Sequence, residues 1–207
     1  MSIIKLYRHP LSGHSHRVEA QLSLLGLDAE IIDVDLMSGA QKQAEFLSKN
    51  SFGQVPAIDD GDVTISDSNA ILVYLATKYD DHRSWYPSDL EEQAEVQRFL
   101  SVAAGKIAFG PAAARLVNVF GADLDHKTAI NTSHGILALL DAHLEGRNWL
   151  ATNNPTIADT ANYAYIAHAP EGDVSLEAYP NIRAWIKRFE SLKGFVAFAA
   201  TPVGLSA

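Results

Sequence analysis

Three short segments concentrate the residue types that can hold or activate a small molecule. The first is Arg8-His9-Pro10-Leu11-Ser12-Gly13-His14-Ser15-His16-Arg17-Val18. A strand pattern ends there, a turn with Pro and Gly follows, and a helix begins. A helix N-terminus presents unpaired N–H groups and about half a positive charge, which favours an anion. Ser12 stands just ahead of that helix, where its hydroxyl can donate to a bound anion; equally, Ser12 or Ser15 can serve only as the helix cap. The second segment is Gln54-Val55-Pro56. Pro is tolerated at the start of a strand because that position need not donate a hydrogen bond. A cis Val55–Pro56 bond would turn the Val55 backbone groups toward a ligand, but only about 5–6% of X–Pro bonds in folded chains are cis, so the tripeptide alone does not select it. The third is Ser66-Asp67-Ser68-Asn69-Ala70-Ile71, where four cap-forming side chains precede an apolar helix that needs one. Asp67 suits an amine, and Ser68 with its backbone N–H suits a carboxylate, so together they match an α-amino acid head group. A redundant cap with a solvated carboxylate accounts for the same residues.

Composition narrows the chemistry. The 207 residues are 47% hydrophobic and 20% charged, enough for one large domain or two small ones. There is no cysteine, which excludes disulfide scaffolds, thiolate zinc sites, iron–sulfur clusters and cysteine nucleophiles. Any thiol chemistry must therefore borrow its thiol from a ligand. The net charge of −9 argues against a nucleic-acid partner, and an anionic substrate would need a local positive field. The longest apolar runs, such as Ile71–Ala76, fall short of the ~18 residues of a membrane span. Met1-Ser2-Ile3-Ile4-Lys5 lacks the basic-then-apolar pattern of a secretory signal, so a cytoplasmic location and no membrane partner are expected. The eight histidines include His14 and His16, but residues two apart do not share a helix face, and no metal is expected.

These segments need elements to position them. From Ile3 to about Tyr79, short apolar runs alternate with helical patterns. Ile3–Tyr7 and Glu30–Val34 read as strands, and Ser15–Leu25 between them as a helix with Val18, Leu22 and Leu25 on one face. This predicts a βαβ unit with parallel pairing. Gln41–Ser48 reads as a short helix, Val55–Ile58 and Val63–Ile65 as a hairpin around Gly61, and Ser68–Tyr79 as a closing helix. The predicted order is βαβαββα, a small mixed sheet covered by helices on both sides. Beyond it, Leu90–Leu116, Lys127–Leu144, Ala158–His168 and Tyr179–Ser191 show only helical spacing. The polar stretch at 81–89 reads as a linker between a domain at 1–80 and a helical domain at 90–207.

In combination, these features resemble the glutathione transferase family over the whole chain. Gly53-Gln54-Val55-Pro56-Ala57-Ile58 and Asp67-Ser68-Asn69-Ala70-Ile71 look like its two glutathione-site motifs, and Ser12-Gly13-x-x-x-Arg17-Val18 is similar to the serine motif of its phi-like and theta-like classes. Pro155-Thr156-Ile157-Ala158-Asp159 looks like the capping box of its C-terminal domain, with Thr156 and Asp159 placed to cap reciprocally. The resemblance implies a thioredoxin-like domain that binds glutathione, followed by an all-helical domain that holds the second substrate. It implies that Ser12 hydrogen-bonds the glutathione sulfur, that Val55 pairs with the cysteinyl backbone beside a cis Pro56, that Gln54, Asp67 and Ser68 hold the γ-glutamyl group, and that Lys42 reaches the glycyl carboxylate. It also implies a detoxifying homodimer, in which an aromatic such as Phe52, Trp85 or Tyr86 docks into the partner subunit; core packing explains those rings as well. Two residues depart from the family pattern: Gln41-Lys42-Gln43-Ala44 keeps only the Lys of the usual His-Lys-x-Pro, and Ser51 stands where Pro is usual.

Tyr7 resembles the thiolate-binding tyrosine of other classes, although a strand-end Tyr also packs. Arg8 and Arg17 are candidate electrostatic helpers, with a surface ion pair as the simpler account of each. A free thiol of pKa ~8.5 is only about 3% thiolate at neutral pH, and lowering its pKa by roughly two units needs about 2.7 kcal/mol of preferential anion stabilisation. One charge-assisted hydrogen bond (~1.5–3 kcal/mol) plus a helix terminus (~0.3–1 kcal/mol) suffices. Because nucleophilicity falls with thiol pKa, most of the rate must come from holding the electrophile beside the sulfur. An apolar pocket is therefore expected in the helical domain. Phe109, Ala113, Leu116 and Val117 lie at helical spacing to line it, or to form ordinary helix core. A non-catalytic protein that kept the fold is the alternative function.

Overall fold

The alternating N-terminal pattern becomes a four-stranded mixed sheet in the computed structural model, which describes residues 3–206. The elements run β1 (Ile4–Arg8), α1 (Gly13–Leu24), β2 (Ala29–Asp33), a 3-10 turn (Ala40–Lys42), α2 (Ala44–Leu47), β3 (Ala57–Asp60), β4 (Val63–Ser66) and α3 (Ser68–Tyr79). The sheet order is β2-β1-β3-β4, with β1 parallel to β2 and the other pairs antiparallel. Alternation along the strands divides the core. Ile4, Leu6 and Ile58 pack with Val18 and Leu22 of α1 and with Ile71 and Leu75 of α3. Ala57 belongs to a second cluster, with Val34 and with Phe46 of α2.

Two elements differ from the sequence expectation for local reasons. The expected helix Gln41–Ser48 is divided because Gln43 adopts an extended backbone, φ −80° and ψ 153°, which interrupts the helical hydrogen bonds. The expected strand Val55–Ile58 begins only at Ala57, because Pro56 has no N–H to give to a ladder; the Val55–Pro56 bond is cis.

The second half is helical: α4 (Leu90–Val102), a π-helical stretch (Ala103–Ala112), α5 (Ala113–Phe120), α6 (His126–His143), α7 (Ile157–Ala167) and α8 (Pro180–Glu190), with 3-10 turns at Ala169–Gly172 and Gly204–Ser206. The first three run on as one helix, Leu90–Phe120, around the internal Pro111. Its most apolar window, with mean hydropathy 1.2, is long and apolar enough by composition to cross a membrane, but half of that window is buried inside the fold, as in a core helix. A side chain at Gly110 would press within 3.1–3.2 Å of Ser133 on α6, so the glycine lets the two helices approach closely. Helix α7 is buried along nearly its whole length, from Ile157 to Ile166. Arg115 and Glu171 form a fully buried ion pair at 2.6 Å, and the second Glu171 oxygen accepts from the Thr201 N–H at 3.0 Å and faces His168 Nδ1 at 2.8 Å.

The chain forms two compact units, one reaching to Arg83 and including Lys193–Ala199, the other comprising Ser84–Leu192 and the segment from Ala200. The 193–199 segment lies on α1 of the first unit. Val196 O is 2.8 Å from His16 Nε2, and the Phe198 and His16 rings are 4.9 Å apart.

Candidate functional site

Strand register assembles the three polar segments. Tyr7 of β1 pairs with Ala57 of β3, and Ala57 pairs with Ser66 of β4, so all three lie on one row across the sheet. The turn to Ser12, the Val55–Pro56 step and the Asp67–Ser68 corner therefore issue from the same edge. Ser12 is the N-cap of α1, and its Oγ accepts from the Ser15 N–H at 3.3 Å. Ser15 Oγ in turn accepts from the His9 N–H at 3.2 Å, which closes the turn. Capping and donation are compatible for Ser12: the cap uses a lone pair, and the hydroxyl hydrogen remains for a ligand.

Asp67 and Ser68 open α3 in the same way. Asp67 Oδ1 accepts from the Ala70 N–H at 2.9 Å while its backbone sits at φ 71°, a conformation that costs a non-glycine residue free energy and is frequent at ligand sites. Ser68 is buried, and its Oγ accepts from Arg17 Nη1 at 2.8 Å; the same guanidinium nitrogen donates to Asn69 Oδ1 at 2.9 Å. Arg17 is only 1% exposed, so the surface ion pair expected for it is not what the structure shows. It is a buried bridge between the N-termini of α1 and α3. Arg8 does form ion pairs, with Glu19 and with Asp33 at 3.0 Å. One buried guanidinium and two helix N-termini thus bring positive charge to this edge, opposed by the Asp67 carboxylate, in a chain of net charge −9.

His14 adjoins this bridge, with Nδ1 3.3 Å from Ser68 Oγ. Burial, reinforced by the Arg17 charge, pushes its pKa down to about 3, so the ring is neutral. Between that value and the unfolded value near 6.5 the unfolded chain binds the extra proton, and stability falls as pH drops through this window. By about pH 4.5 this one group is expected to cost roughly 2–3 kcal/mol relative to pH 7. Urea unfolding of the wild type and His14→Gln at both pH values checks it: the variant should lose that part of the pH slope.

The loop at 42–54 folds Lys42 back against Phe52 and Gly53. Lys42 Nζ donates to Phe52 O at 3.3 Å, and Gly53 lies beneath it at φ 59°, where a side chain would come within 2.9 Å of Nζ. Gln54 exposes its side chain, while its carbonyl accepts from buried Asn50 Nδ2 at 2.7 Å. Asn50 Oδ1 also accepts from the Phe52 N–H at 3.1 Å. Asn50, the placement of His14 beside Ser68 and the burial of Arg17 all escaped the sequence reading. Only the Asn-x-x-Gly turn pattern at 50–53 carried a signal for the first.

Tyr7 is engaged elsewhere. Its hydroxyl donates to Asp59 Oδ2 at 2.8 Å, and Lys49 Nζ lies 2.7 Å from the same oxygen. Among the described residues no group of three or more His, Cys, Asp or Glu is placed to hold a metal ion. Phe52 is 80% exposed. Trp85 and Tyr86 are half-buried, with Trp85 O accepting from the Ile157 N–H at 2.9 Å and Tyr86 Oη from Gln97 at 3.0 Å.

In the helical unit an open cleft of about 530 Å³ lies along the Leu90–Phe120 helix, where Arg98, Gly105, Lys106 and Phe109 line it with Thr132 of α6. Of the four expected pocket residues only Phe109 lines this cleft. Ala113, Leu116 and Val117 are half-buried elsewhere along the same helix.

Comparison with known proteins agrees with both units. Residues 2–77 match the family model for the glutathione S-transferase N-terminal domain, and residues 123–193 match that for the C-terminal domain. Glutathione S-transferase 3 of Zea mays is 34% identical over 97% of this chain and 94% of its own length. Human glutathione S-transferase theta-2 is 33% identical over 82% of this chain and 73% of its own. The crystal structure of a glutathione transferase homolog from Drosophila mojavensis with bound glutathione superposes with a TM-score of 0.85, at 31% identity, covering 93% of this chain and 89% of that one. With the thioredoxin-like and helical domains both present and matched, this chain is a transferase and belongs to the glutathione S-transferase family.

Proposed function

We propose that this protein conjugates glutathione to an apolar electrophile through a thiolate held by Ser12. The observation that carries the reading is the hydrogen-bond arrangement at the end of β1. Ser12 Oγ accepts from the Ser15 N–H and keeps its own hydrogen, whereas the rival Tyr7 hydroxyl is committed to Asp59. Ser12 donates to the sulfur, and the N–H groups of α1 add their field. The Val55 backbone pairs with the cysteinyl unit beside Pro56. Gln54, Asp67 and Ser68 hold the γ-glutamyl group, whose carboxylate meets the Arg17-bridged N-terminus of α3, and Lys42 reaches the glycyl carboxylate. The helical domain holds the electrophile, with Phe109 lining its cleft. The protein works as a cytoplasmic homodimer, with exposed Phe52 as a contact to the partner.

The same thiolate also reduces hydroperoxides. Sulfur attacks the peroxide oxygen, alcohol leaves, and a second glutathione converts the resulting sulfenic acid to glutathione disulfide and water. No cysteine is present to form an enzyme–glutathione mixed disulfide.

The test is an ultraviolet difference spectrum of protein with glutathione, titrated from about pH 5 to 9. A thiolate band is expected with an apparent pKa roughly two units below that of free thiol. Calorimetric binding with an unshifted band would make the protein a glutathione-binding module and Ser12 a helix cap. Absence of binding would overturn the site.

A further inference from the structure

We propose that His14 is a positioning residue that fixes the Ser68 hydroxyl as a hydrogen-bond donor, so that the N-terminus of α3 takes the α-carboxylate of a γ-glutamyl group rather than its amine. This inference rests on the glutathione reading above and assigns the polarity of one hydroxyl within it.

A hydroxyl has one hydrogen to give and two lone pairs with which to accept. Two groups meet Ser68 Oγ, Arg17 Nη1 at 2.8 Å and His14 Nδ1 at 3.3 Å. A guanidinium only donates, so Arg17 occupies one lone pair in every arrangement. The imidazole decides the rest. Burial and the Arg17 charge keep the ring neutral, so one of its nitrogens carries a hydrogen and the other a lone pair. With the lone pair on Nδ1, Ser68 spends its hydrogen on the ring and turns an acceptor to the ligand. With the hydrogen on Nδ1, both lone pairs of Ser68 are occupied, and its own hydrogen faces the ligand.

The charges around the hydroxyl select the second arrangement. Arg17 is 1% exposed and donates to this oxygen, and α3 begins at the same residue, so the local field favours an anion and penalises an ammonium. The opposing Asp67 carboxylate is exposed, where solvent screens it. Asp67 is also the better partner for the amine. Its Oδ1 accepts from the Ala70 N–H at 2.9 Å, and its second oxygen remains to meet an ammonium. Asp67 therefore takes the amine and Ser68 the carboxylate, and only the Nδ1–H form of His14 permits both. His14 is the second residue of the helix that Ser12 caps, so one turn of α1 serves the sulfur directly and the carboxylate through Ser68.

The ring is read first without ligand. Nitrogen NMR of protein labelled at histidine, with the His14 signals assigned by their loss in His14→Asn, is expected to show hydrogen on Nδ1 and none on Nε2 at neutral pH. A bare Nδ1 overturns the proposal. Calorimetry then compares glutathione with 4-aminobutyryl-cysteinylglycine, which lacks the γ-glutamyl carboxylate, and glutaryl-cysteinylglycine, which lacks the amine. His14→Leu is expected to weaken glutathione and the amine-free analogue about three- to tenfold and to leave the carboxylate-free analogue within about twofold. His14→Asn keeps a donor where Nδ1 stood and should bring glutathione back to within about twofold of wild type. With one neutral electrophile and saturating glutathione, kcat of both variants should stay within about twofold, because the donor to sulfur is Ser12. Equal weakening of all three ligands makes His14 a packing residue, and weakening that follows the amine makes Ser68 an acceptor; either result overturns the proposal. A wild type that binds no glutathione sinks the transferase reading, while the ligand-free spectrum still upholds or overturns the assignment of the ring and the hydroxyl.

Discussion

Ser12→Ala is expected to lower conjugation about two- to tenfold near pH 6.5 with little change in KM for glutathione. The magnitude follows from the bond removed. A hydrogen bond to a charged acceptor contributes about 1.5–3 kcal/mol, equivalent to roughly one to two units of thiol pKa. Losing it returns the bound thiol toward its solution value, and the thiolate fraction at acidic pH falls accordingly, an effect partly offset because the more basic thiolate is the better nucleophile. The pH–rate profile therefore identifies the mechanism better than a single rate does. The variant's deficit should shrink as pH rises and be gone by about pH 9, where the thiol ionises without help. Because Ser12 also caps α1, the alanine variant is expected to lose about 1 kcal/mol of stability as well. Ser12→Gly keeps most of the cap preference without a hydroxyl, and Ser12→Thr keeps both. If cap loss alone lowered the rate, glycine would restore it; under the thiolate mechanism only threonine does. Steady-state rates of the three variants across pH, with one neutral electrophile, decide this.

Most of the candidate site was legible because its signals are local. Ser12 before a helix, Pro56 before a strand, and the polar run Ser66–Asn69 before α3 each announce themselves within a few residues. That they share one sheet edge depends on the non-local register Tyr7–Ala57–Ser66, which sequence pattern supports only through the predicted βαβαββα order. The guanidinium of Arg17 was not legible. A charged residue on a helix is ordinarily exposed, and its burial depends on Ser68 and Asn69 arriving from fifty residues away. Periodicity likewise placed Phe109, Ala113, Leu116 and Val117 on one helix without deciding which of them a neighbouring helix would cover. Only α6 resolves that, by leaving Phe109 beside Thr132 in an open cleft. The short helix at 41–48 failed for a backbone reason, since nothing in Gln43 as a residue type requires the extended conformation it adopts.

Asp159→Asn is expected to destabilise the helical domain by about 3–5 kcal/mol. The sequence indicates a reciprocal cap between Thr156 and Asp159, and the structure contains it: Asp159 Oδ2 accepts from the Thr156 N–H at 2.9 Å, and Thr156 Oγ1 accepts from the Ala158 N–H at 3.3 Å. The other carboxylate oxygen does more than cap. Asp159 Oδ1 accepts from the Leu150 N–H at 3.0 Å and from Trp185 Nε1 at 2.8 Å, so one fully buried group joins the 150 loop, the start of α7 and the middle of α8. Burial pushes the Asp159 pKa up to about 6, while these donors favour the charged form, and the group is ionised at neutral pH. An asparagine retains one acceptor and turns an NH₂ toward donors that have no other partner. Alanine leaves three N–H groups unsatisfied, each at a cost of about 1–3 kcal/mol. For a chain of this size the asparagine variant should unfold roughly 10 °C lower. Calorimetry of wild type, Asp159→Asn and Asp159→Ala measures the loss. The glutathione thiolate spectrum, recorded at a temperature where all three remain folded, should be unchanged, because Asp159 belongs to the helical unit and every residue assigned to the thiol belongs to the other. A shifted spectrum with unaltered melting would reverse the assignment and make Asp159 part of the chemistry.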